Sequence, residues 1–389
     1  MRPRVAVVHQ QLVAGGGSEV CAMWTLQGLA DEYRVTLITM GRPDLGALSR
    51  SCGTTVDESR IEVRALPILP GLRKRFDALR GGPLDRHCRR HARDFDVMIS
   101  AYNTMDFGVP GIQLVADFSF DDDLRREVHA EAGASGGVLY AASAGRSLYL
   151  SLARALAGRS RDGWMENRTL AVSEWVRGLL KDRFGVDSTV LYPPVSVDVP
   201  QVPWDEREDG FVVMGRLVPE KGIPQVIEIL SEVRKVKPVH LHVISRPTRA
   251  AYAREIERLC RANAGWIRFE GEVYGRDKGA LLAGHKYGIS GCRAESFGIA
   301  VAEMAKAGEI VWVPDGGGQT EVVTDAALIY AGRDDAVSRI VKVITDAERE
   351  TALRRHLEAR AAAFSSSRFV SGMRSAVRDF LGEGRVHGA

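Results

Sequence analysis

Short runs of residues that are apolar throughout, each followed by a helical pattern, recur along nearly the whole chain and constrain its fold more than any other feature. Val5–Val8, Val35–Thr39, Val97–Ser100, Gln113–Ala116 and Thr169–Val172 read as strands in the first half. A strand with one wet face alternates apolar and polar side chains. One that is apolar on both sides is covered on both faces, as in parallel sheets. A helix is expected over Glu19–Asp31 after a glycine-rich turn, and Ser173 stands where it can cap a helix over Glu174–Phe184. After Val190 the chain reads LYPPVSVDVPQVPWDERED, with Pro193, Pro194, Pro200 and Pro203 beside an acidic run. That is a linker signal. The alternation then restarts, with strands over Phe211–Met214, Val239–Ile244, Ile267–Glu270, Tyr287–Ser290 and Ile310–Val313. Helices are expected over Ile223–Val236, Arg249–Ala262, Lys278–Ala283 and Phe297–Ala307. The expected fold is α/β, two Rossmann-like domains with the carboxyl ends of their strands on a shared crevice, where such folds bind ligands.

Composition narrows the function. A chain of 389 residues, 45% hydrophobic and 26% charged, suits two to three globular domains with sizeable cores. A net charge of +3 is too small to imply nucleic-acid binding. The cysteines Cys21, Cys52, Cys88, Cys260 and Cys292 are odd in number and scattered, with no CxxC pair, which suits a reduced compartment. The start MRPRVAVVHQ lacks a signal-peptide layout, and no window reaches the roughly 18 apolar residues of a membrane span. A cytoplasmic protein is expected.

Two segments carry the chemistry. In GRLVPEKG, Gly215 to Gly222, a strand ends in a turn that precedes a helix. Arg216 and Lys221 on that turn are two cations able to clamp a diphosphate, Arg as a fork and Lys as a point charge. A solvated turn in which Glu220 pairs with a neighbour is the plain alternative. In RAESFGIAVAEMAKAG, Arg293 to Gly308, Glu295 precedes a helix whose first amides are expected from Phe297, Gly298 and Ile299. Free amides and the helix dipole there suit a phosphate, and Gly298 leaves its approach open. Glu303 follows Glu295 by eight residues, a spacing that lets one carboxylate meet a sugar and the other the ribose of one extended ligand. Two solvent-facing acids on a capped amphipathic helix are the alternative.

GRLVPEKG, then AESFGIAVAEM with its E-x7-E spacing, then the glycine turn GGGQTEVV (Gly316 to Val323) resemble the retaining GT-B glycosyltransferases of family 4. GGGSEV, Gly15 to Val20, is similar to that family's first-strand glycine loop. The likeness spans nearly the whole chain and is densest in the carboxyl half. It implies a hexosyltransferase that uses a nucleotide sugar and no metal ion. Arg216 and Lys221 would bind the diphosphate and stabilise the leaving nucleotide, a role that replaces a metal. Glu295 would hold donor-sugar hydroxyls, Ser296 and the amides of Phe297, Gly298 and Ile299 the sugar or β-phosphate, and Glu303 the ribose. Gly16 and Gly17 would let the backbone approach the diphosphate. The resemblance assigns residues 1–195 to an acceptor domain, rejoined by a terminal helix at about 366–389, and residues 204–365 to the donor domain. The nucleotide base would be held near Gly271–Val273, with UDP-glucose, UDP-N-acetylglucosamine and GDP-mannose all open. The acceptor, a glycan, lipid-linked or small molecule, would meet Tyr102, Asn103 and Asp117.

The sequence departs from the family at LVADFSF, where Asp117 stands in place of the usual histidine. It reads equally as an acceptor base, a sugar contact or a helix-start cap. Glu309–Ile310 replaces the proline usual after AxG, and AEMAK replaces EAM, changes that read as structural. Asp121, Asp122 and Asp123 resemble a DxD metal motif but suit a solvated acidic helix start better. His87, Cys88 and His91 have ligand spacing on a helix, yet the arginines around them oppose a cation. GGGS is not GxGxxG, so hydride chemistry is not expected. No lysine motif suits a pyridoxal cofactor. The basic stretch Arg73–Arg93 reads first as a solvated helix face and second as a dock for an anionic acceptor or the inner membrane surface. A catalytically inactive nucleotide-sugar-binding partner of another transferase is the rival function.

Overall fold

The computed structural model describes residues 2–13, 16–68, 77–131, 151–153, 155, 157–158, 160, 162–246 and 250–386. The chain divides into two compact units, Met1–Asp122 with Ala141–Pro194 and Ser366–Ala389, and Asp123–Tyr140 with Val195–Ser365. Among the described residues no helix is long and apolar enough to cross a membrane.

The first unit is built on seven strands, β1 Arg4–His9, β2 Arg34–Met40, β3 Ile61–Leu66, β4 Val97–Ser100, β5 Ile112–Val115, β6 Arg168–Ala171 and β7 Ser188–Val190. Their order is β3-β2-β1-β4-β5-β6-β7, with every pair parallel. Val5, Ala6, Val7 and Val8 are all 0% exposed, as the all-apolar run requires of a strand covered on both faces. Local chemistry sets the boundaries of the helix Glu174–Phe184. Ser173 Oγ accepts from the Val176 amide at 3.1 Å, and Gly185 ends the helix at φ +69°. The terminal helix Ser366–Val386 packs on Gly17–Leu29 where Gly28 has no side chain. A Cβ there would come 2.9 Å from Val370 Cγ1. Arg374 Nε fixes the crossing by donating to the Gly28 carbonyl at 2.6 Å.

The second unit has six strands, β8 Glu208–Met214, β9 His240–Ile244, β10 Ile267–Gly271, β11 His285–Ile289, β12 Ile310–Pro314 and β13 Ile329–Tyr330. Their order is β10-β9-β8-β11-β12-β13, again all parallel. Phe211, Tyr287 and Trp312 sit side by side on β8, β11 and β12, all 0% exposed, and their ring centroids lie 5.0 to 5.9 Å apart. Each sheet reverses its direction of winding once, between β1 and β4 and between β8 and β11. In doubly wound sheets the crevice for a ligand opens at the carboxyl ends of that strand pair.

Candidate functional site

In the second unit the carboxyl ends of β8 and β11 are followed by the two segments singled out from sequence. Gly215 leaves β8, and a short 3-10 turn Pro219–Lys221 leads through Gly222 into the helix Ile223–Val233. Gly222 is obligatory on two counts: its φ is +60°, and a Cβ would lie 2.5 Å from the Gly291 carbonyl oxygen. The contact is mutual, since a Cβ on Gly291 would lie 2.6 Å from the Gly222 oxygen. This backbone approach locks the cationic turn against the chain leaving β11.

Lys221, Glu295 and Gly298 come together in one small pocket with Met214, Ser290 and Gly291. Lys221 Nζ donates to Glu295 Oε2, and the two side chains are only 21% and 24% exposed. Burial alone would lower the Lys221 pKa, but the Glu295 carboxylate outweighs it and the pKa is raised, so the ammonium stays charged. Arg216 is exposed and near enough for its charge to oppose that of Lys221.

The helix after Glu295 starts later than the sequence suggested. It runs Ile299–Lys306 with Gly298 as its N-cap at φ +89°. The left-handed residue turns the chain there, so Phe297 lies before the helix, 2% exposed and edge-on to Phe364 at 5.3 Å. The open amides of the first turn therefore belong to Ile299, Ala300 and Val301 rather than to Phe297 and Gly298. Ser296 is half-buried beside them. The glycine turn supports this loop from behind. Gly318 N donates to the Glu295 carbonyl at 2.7 Å, Gln319 Nε2 donates to the Cys292 carbonyl, and a Cβ on Gly317 would meet the Glu295 oxygen at 2.5 Å.

Glu303, a turn further along the helix, is not placed as a free acceptor. Its Oε1 accepts from Lys278 Nζ at 2.7 Å, both side chains being 15% exposed or less. Lys278 had been read only as the start of a helix, and an amphipathic lysine gives no sign from sequence of which acid it will meet. Gly271, proposed near the base, ends β10 at φ +74° and its carbonyl accepts from the Ser245 amide at 2.9 Å.

The first unit has its own polar group at the carboxyl ends of β1, β4 and β5. Asp117 Oδ1 accepts from Asn103 Nδ2 at 2.6 Å and from the Ser119 amide at 2.8 Å, and Tyr102 Oη donates to Oδ2. Of the three readings of Asp117, the helix-start cap is excluded, because the following helix is Asp122–Glu131. Asp117 closes the turn to Ser119 instead. Asn103, at φ +62° and 6% exposed, spends its amide on the loop. Its Oδ1 accepts from Ala116 N and Asp117 N at 3.1 and 3.0 Å, and its Nδ2 also reaches Ser119. It holds Asp117 in place. His9, missed from sequence, ends β1 with its ring 5.7 Å from that of Tyr102. It is 4% exposed, burial lowers its pKa to about 4, and the Gln11 backbone opposes that shift only in part. A lone polar residue ending an apolar strand beside the switch point was the available signal. Gly16 caps the helix Gly17–Leu29 from an extended conformation, and Gly17 is its first residue. Gly15 lies outside the described residues.

Asp122 opens its helix and Asp123 pairs with Arg126. Cys88 is wholly buried on the core side of the helix Asp77–His91, while the His91 ring nitrogen lies 2.8 Å from Asp94. Arg73, Lys74 and Arg75 lie outside the described residues. Arg86, Arg89 and Arg90 line a surface hollow with Ala157 and Gly158, and Arg89 pairs with the buried Asp106.

Residues 197–363 match the family described as Glycosyl transferases group 1. No curated protein matches the sequence. Among solved structures, HepE of Anabaena in complex with UDP and glucose is similar at TM-score 0.68 and 15% identity, over 97% of this chain and 100% of that one. A sucrose-phosphate synthase from Thermosynechococcus elongatus is similar at TM-score 0.73 and 14% identity, over 98% and 100%. WaaG, a glycosyltransferase involved in lipopolysaccharide biosynthesis, reaches TM-score 0.65 and 16% identity over 92% and 95%. The chain thus has the α/β GT-B fold of these neighbours along almost all its length, and its second unit carries the match to a sugar-transferase family.

Proposed function

We propose that the chain is a retaining glycosyltransferase that moves a hexose from a nucleoside diphosphate sugar to an acceptor hydroxyl without a metal ion. The observation that carries this reading is the pocket at the β8/β11 switch point, where Lys221 and Glu295 meet the Gly298-capped helix start beside Arg216. Arg216 and Lys221 supply the positive charge that a departing diphosphate needs, in a site that holds them before the substrate arrives. The amides of Ile299 and Ala300 add neutral donors for a phosphate or sugar oxygen. Glu295 accepts from the hexose hydroxyls, and Glu303, held by Lys278, from the ribose. The HepE complex with UDP and glucose supports a uridine donor by likeness of fold. The acceptor is assigned to the first unit, where Tyr102 and Asp117 offer a hydroxyl and a carboxylate, and Asn103 fixes their loop. A protein acting in the cytoplasm, or at the inner membrane face through the arginines of 73–93, fits this substrate class.

A thermal-shift screen of UDP, GDP, TDP and their sugars identifies the donor, and nucleotide release with and without acceptor measures transfer. Lys221→Ala is expected to cut turnover about 10²- to 10³-fold, the scale for losing one preorganised charge-stabilising donor, while the protein stays folded. Near-normal turnover in that variant would refute the clamp. Tight donor binding by the wild type with no nucleotide release under any acceptor would instead establish the inactive-partner reading.

A further inference from the structure

At the opposite, amino-terminal edge of the same sheet, three histidines converge that take no part in the proposed transfer. His240 and His242 stand two apart on β9 and so share one face, and His285 opens β11, with β8 between them. Their ring centroids are 4.3 to 5.3 Å apart, and one ring nitrogen from each lies within 4.8 Å of the other two. What lets them meet is Gly210. It pairs with His240 in the β8–β9 register, and a Cβ there would come 2.2 Å from His240 Nε2 and 2.6 Å from His285 Cδ2. A glycine inside a strand weakens it and often marks a close approach.

The tautomers are fixed by the neighbours. His285 Nδ1 must donate to the Leu281 carbonyl, at 2.6 Å, because a carbonyl can only accept. Its Nε2 therefore carries a lone pair, and that buried atom has no hydrogen-bond partner among the described residues, in a residue 5% exposed. His242 Nδ1 lies 2.7 Å from Glu270 Oε1, the carboxylate–histidine arrangement that orients a metal-binding imidazole. Among the described residues His240 Nε2 likewise has no hydrogen-bond partner, although the Glu208 carboxylate lies 3.3 Å away outside bonding geometry.

We infer that His240, His242 and His285 form a binding site for a divalent transition-metal ion of the Zn²⁺ class, with water or Glu208 in the fourth position. Tetrahedral ligation at about 2.0–2.1 Å sets nitrogens about 3.4 Å apart, so from separations of up to 4.8 Å the rings need to close by at most about 1.4 Å. Entry is from the His240 side, whose side chain is 31% exposed. Along β8, His285 pairs with Glu208 and His240 with Gly210, five and three residues before Val213, where the lining of the Lys221 pocket begins, and His242 pairs with Val212. The ion is therefore a clasp across β9, β8 and β11 and is independent of the transfer reading.

The test uses tag-free full-length protein, stripped with chelator, dialysed against Zn²⁺ and assayed for bound metal. Co²⁺ is loaded in parallel and read by its visible absorption. About one ion per chain with a tetrahedral Co²⁺ spectrum is expected. Gly210→Ala and His242→Ala/His285→Ala are expected to lose it, and Glu270→Ala to bind about 10- to 100-fold more weakly. His240→Gln, at the exposed corner, serves where circular dichroism shows that a buried variant has not folded. His87→Ala/His91→Ala, which removes the other close histidine pair, is expected to keep the ion. No bound metal in the wild type, full binding in the folded cluster variants, or loss in the His87/His91 variant would each overturn the site.

Discussion

Gly222→Ala is the perturbation whose cost can be worked most directly from the structure. The residue sits at φ +60°, where a side chain costs about 1–2 kcal/mol. Its new Cβ would fall 2.5 Å from the Gly291 carbonyl oxygen, about 0.9 Å short of the 3.4 Å at which ordinary contact begins. The obstacle is backbone, so no rotamer relieves it, and overpacking of that kind adds about 1–3 kcal/mol. The expected loss is about 2–5 kcal/mol. Because Lys221 is the preceding residue, a shift of that size in the turn also moves the ammonium away from Glu295. A misplacement near 1 Å costs about 10²-fold in rate. Hydrogen exchange at the amides of β8 and β11 reads the stability of the second unit by itself, which whole-chain melting does not. Gly178→Ala is the control: it lies exposed in the helix Glu174–Phe184 with nothing within 4 Å of a new Cβ, and should stabilise by about 0.5–1 kcal/mol. If Gly222→Ala cost less than about 1 kcal/mol and left donor binding unchanged, the argument that this glycine pair positions the clamp would fail.

Two further outcomes follow from buried charges. Glu309 is 0% exposed, neither oxygen has a hydrogen-bond partner among the described residues, and burial raises its pKa well above the usual range despite the charge of Arg207. A raised folded pKa means stability is complete below the unfolded value of about 4.3 and declines as pH rises toward the folded one, by at most about 1.4 kcal/mol per unit. The urea midpoint of Glu309→Gln should accordingly gain on the wild type between pH 5 and pH 8, and parallel curves would exclude the effect. Lys278→Ala strands Glu303 and should cost about 1–3 kcal/mol together with donor affinity. Lys278→Ala/Glu303→Ala should recover the stability but not the affinity, and additive losses in stability would show that the pair is not coupled.

What the sequence made legible is what one stretch of chain encodes alone. The buried strands announced themselves because both faces are apolar, and Ser173 caps where a serine before an amphipathic run should. The edges were harder to read. β3, IEVRAL, alternates Glu62 and Arg64 with apolar residues, the period-two signal of a half-wet edge strand, which a criterion of runs apolar throughout passes over. β7 and β13 are three and two residues long, too short for any period to register. The helix at Ile299 starts two residues late because the left-handed φ of Gly298 is a property of the packed loop, in which Gly317 presses on the Glu295 backbone and Gly318 N donates to its carbonyl. The histidine cluster left no local trace, since its members are spread over 46 residues and are joined only by strand order.

Pairings across the second unit change the meaning of the motifs more than their positions do. From sequence, Lys221, Glu295 and Glu303 read as three groups waiting for a ligand. In the structure both acids are already engaged, Glu295 by Lys221 and Glu303 by Lys278. Under the proposed function this pairing links the parts of the donor. An ammonium shared with a carboxylate has less attraction left for phosphate, so a nucleotide lacking the β-phosphate gains little from Lys221. A full diphosphate, with more charge than one carboxylate, draws the ammonium toward itself and releases Glu295 to accept from hexose hydroxyls. Phosphate and sugar recognition then become one coupled event, and Glu295→Gln separates them. It should tighten UDP binding, because Lys221 loses its competitor, while weakening the gain that the hexose adds. A variant that weakened UDP and UDP-hexose equally would make the pair a mere scaffold.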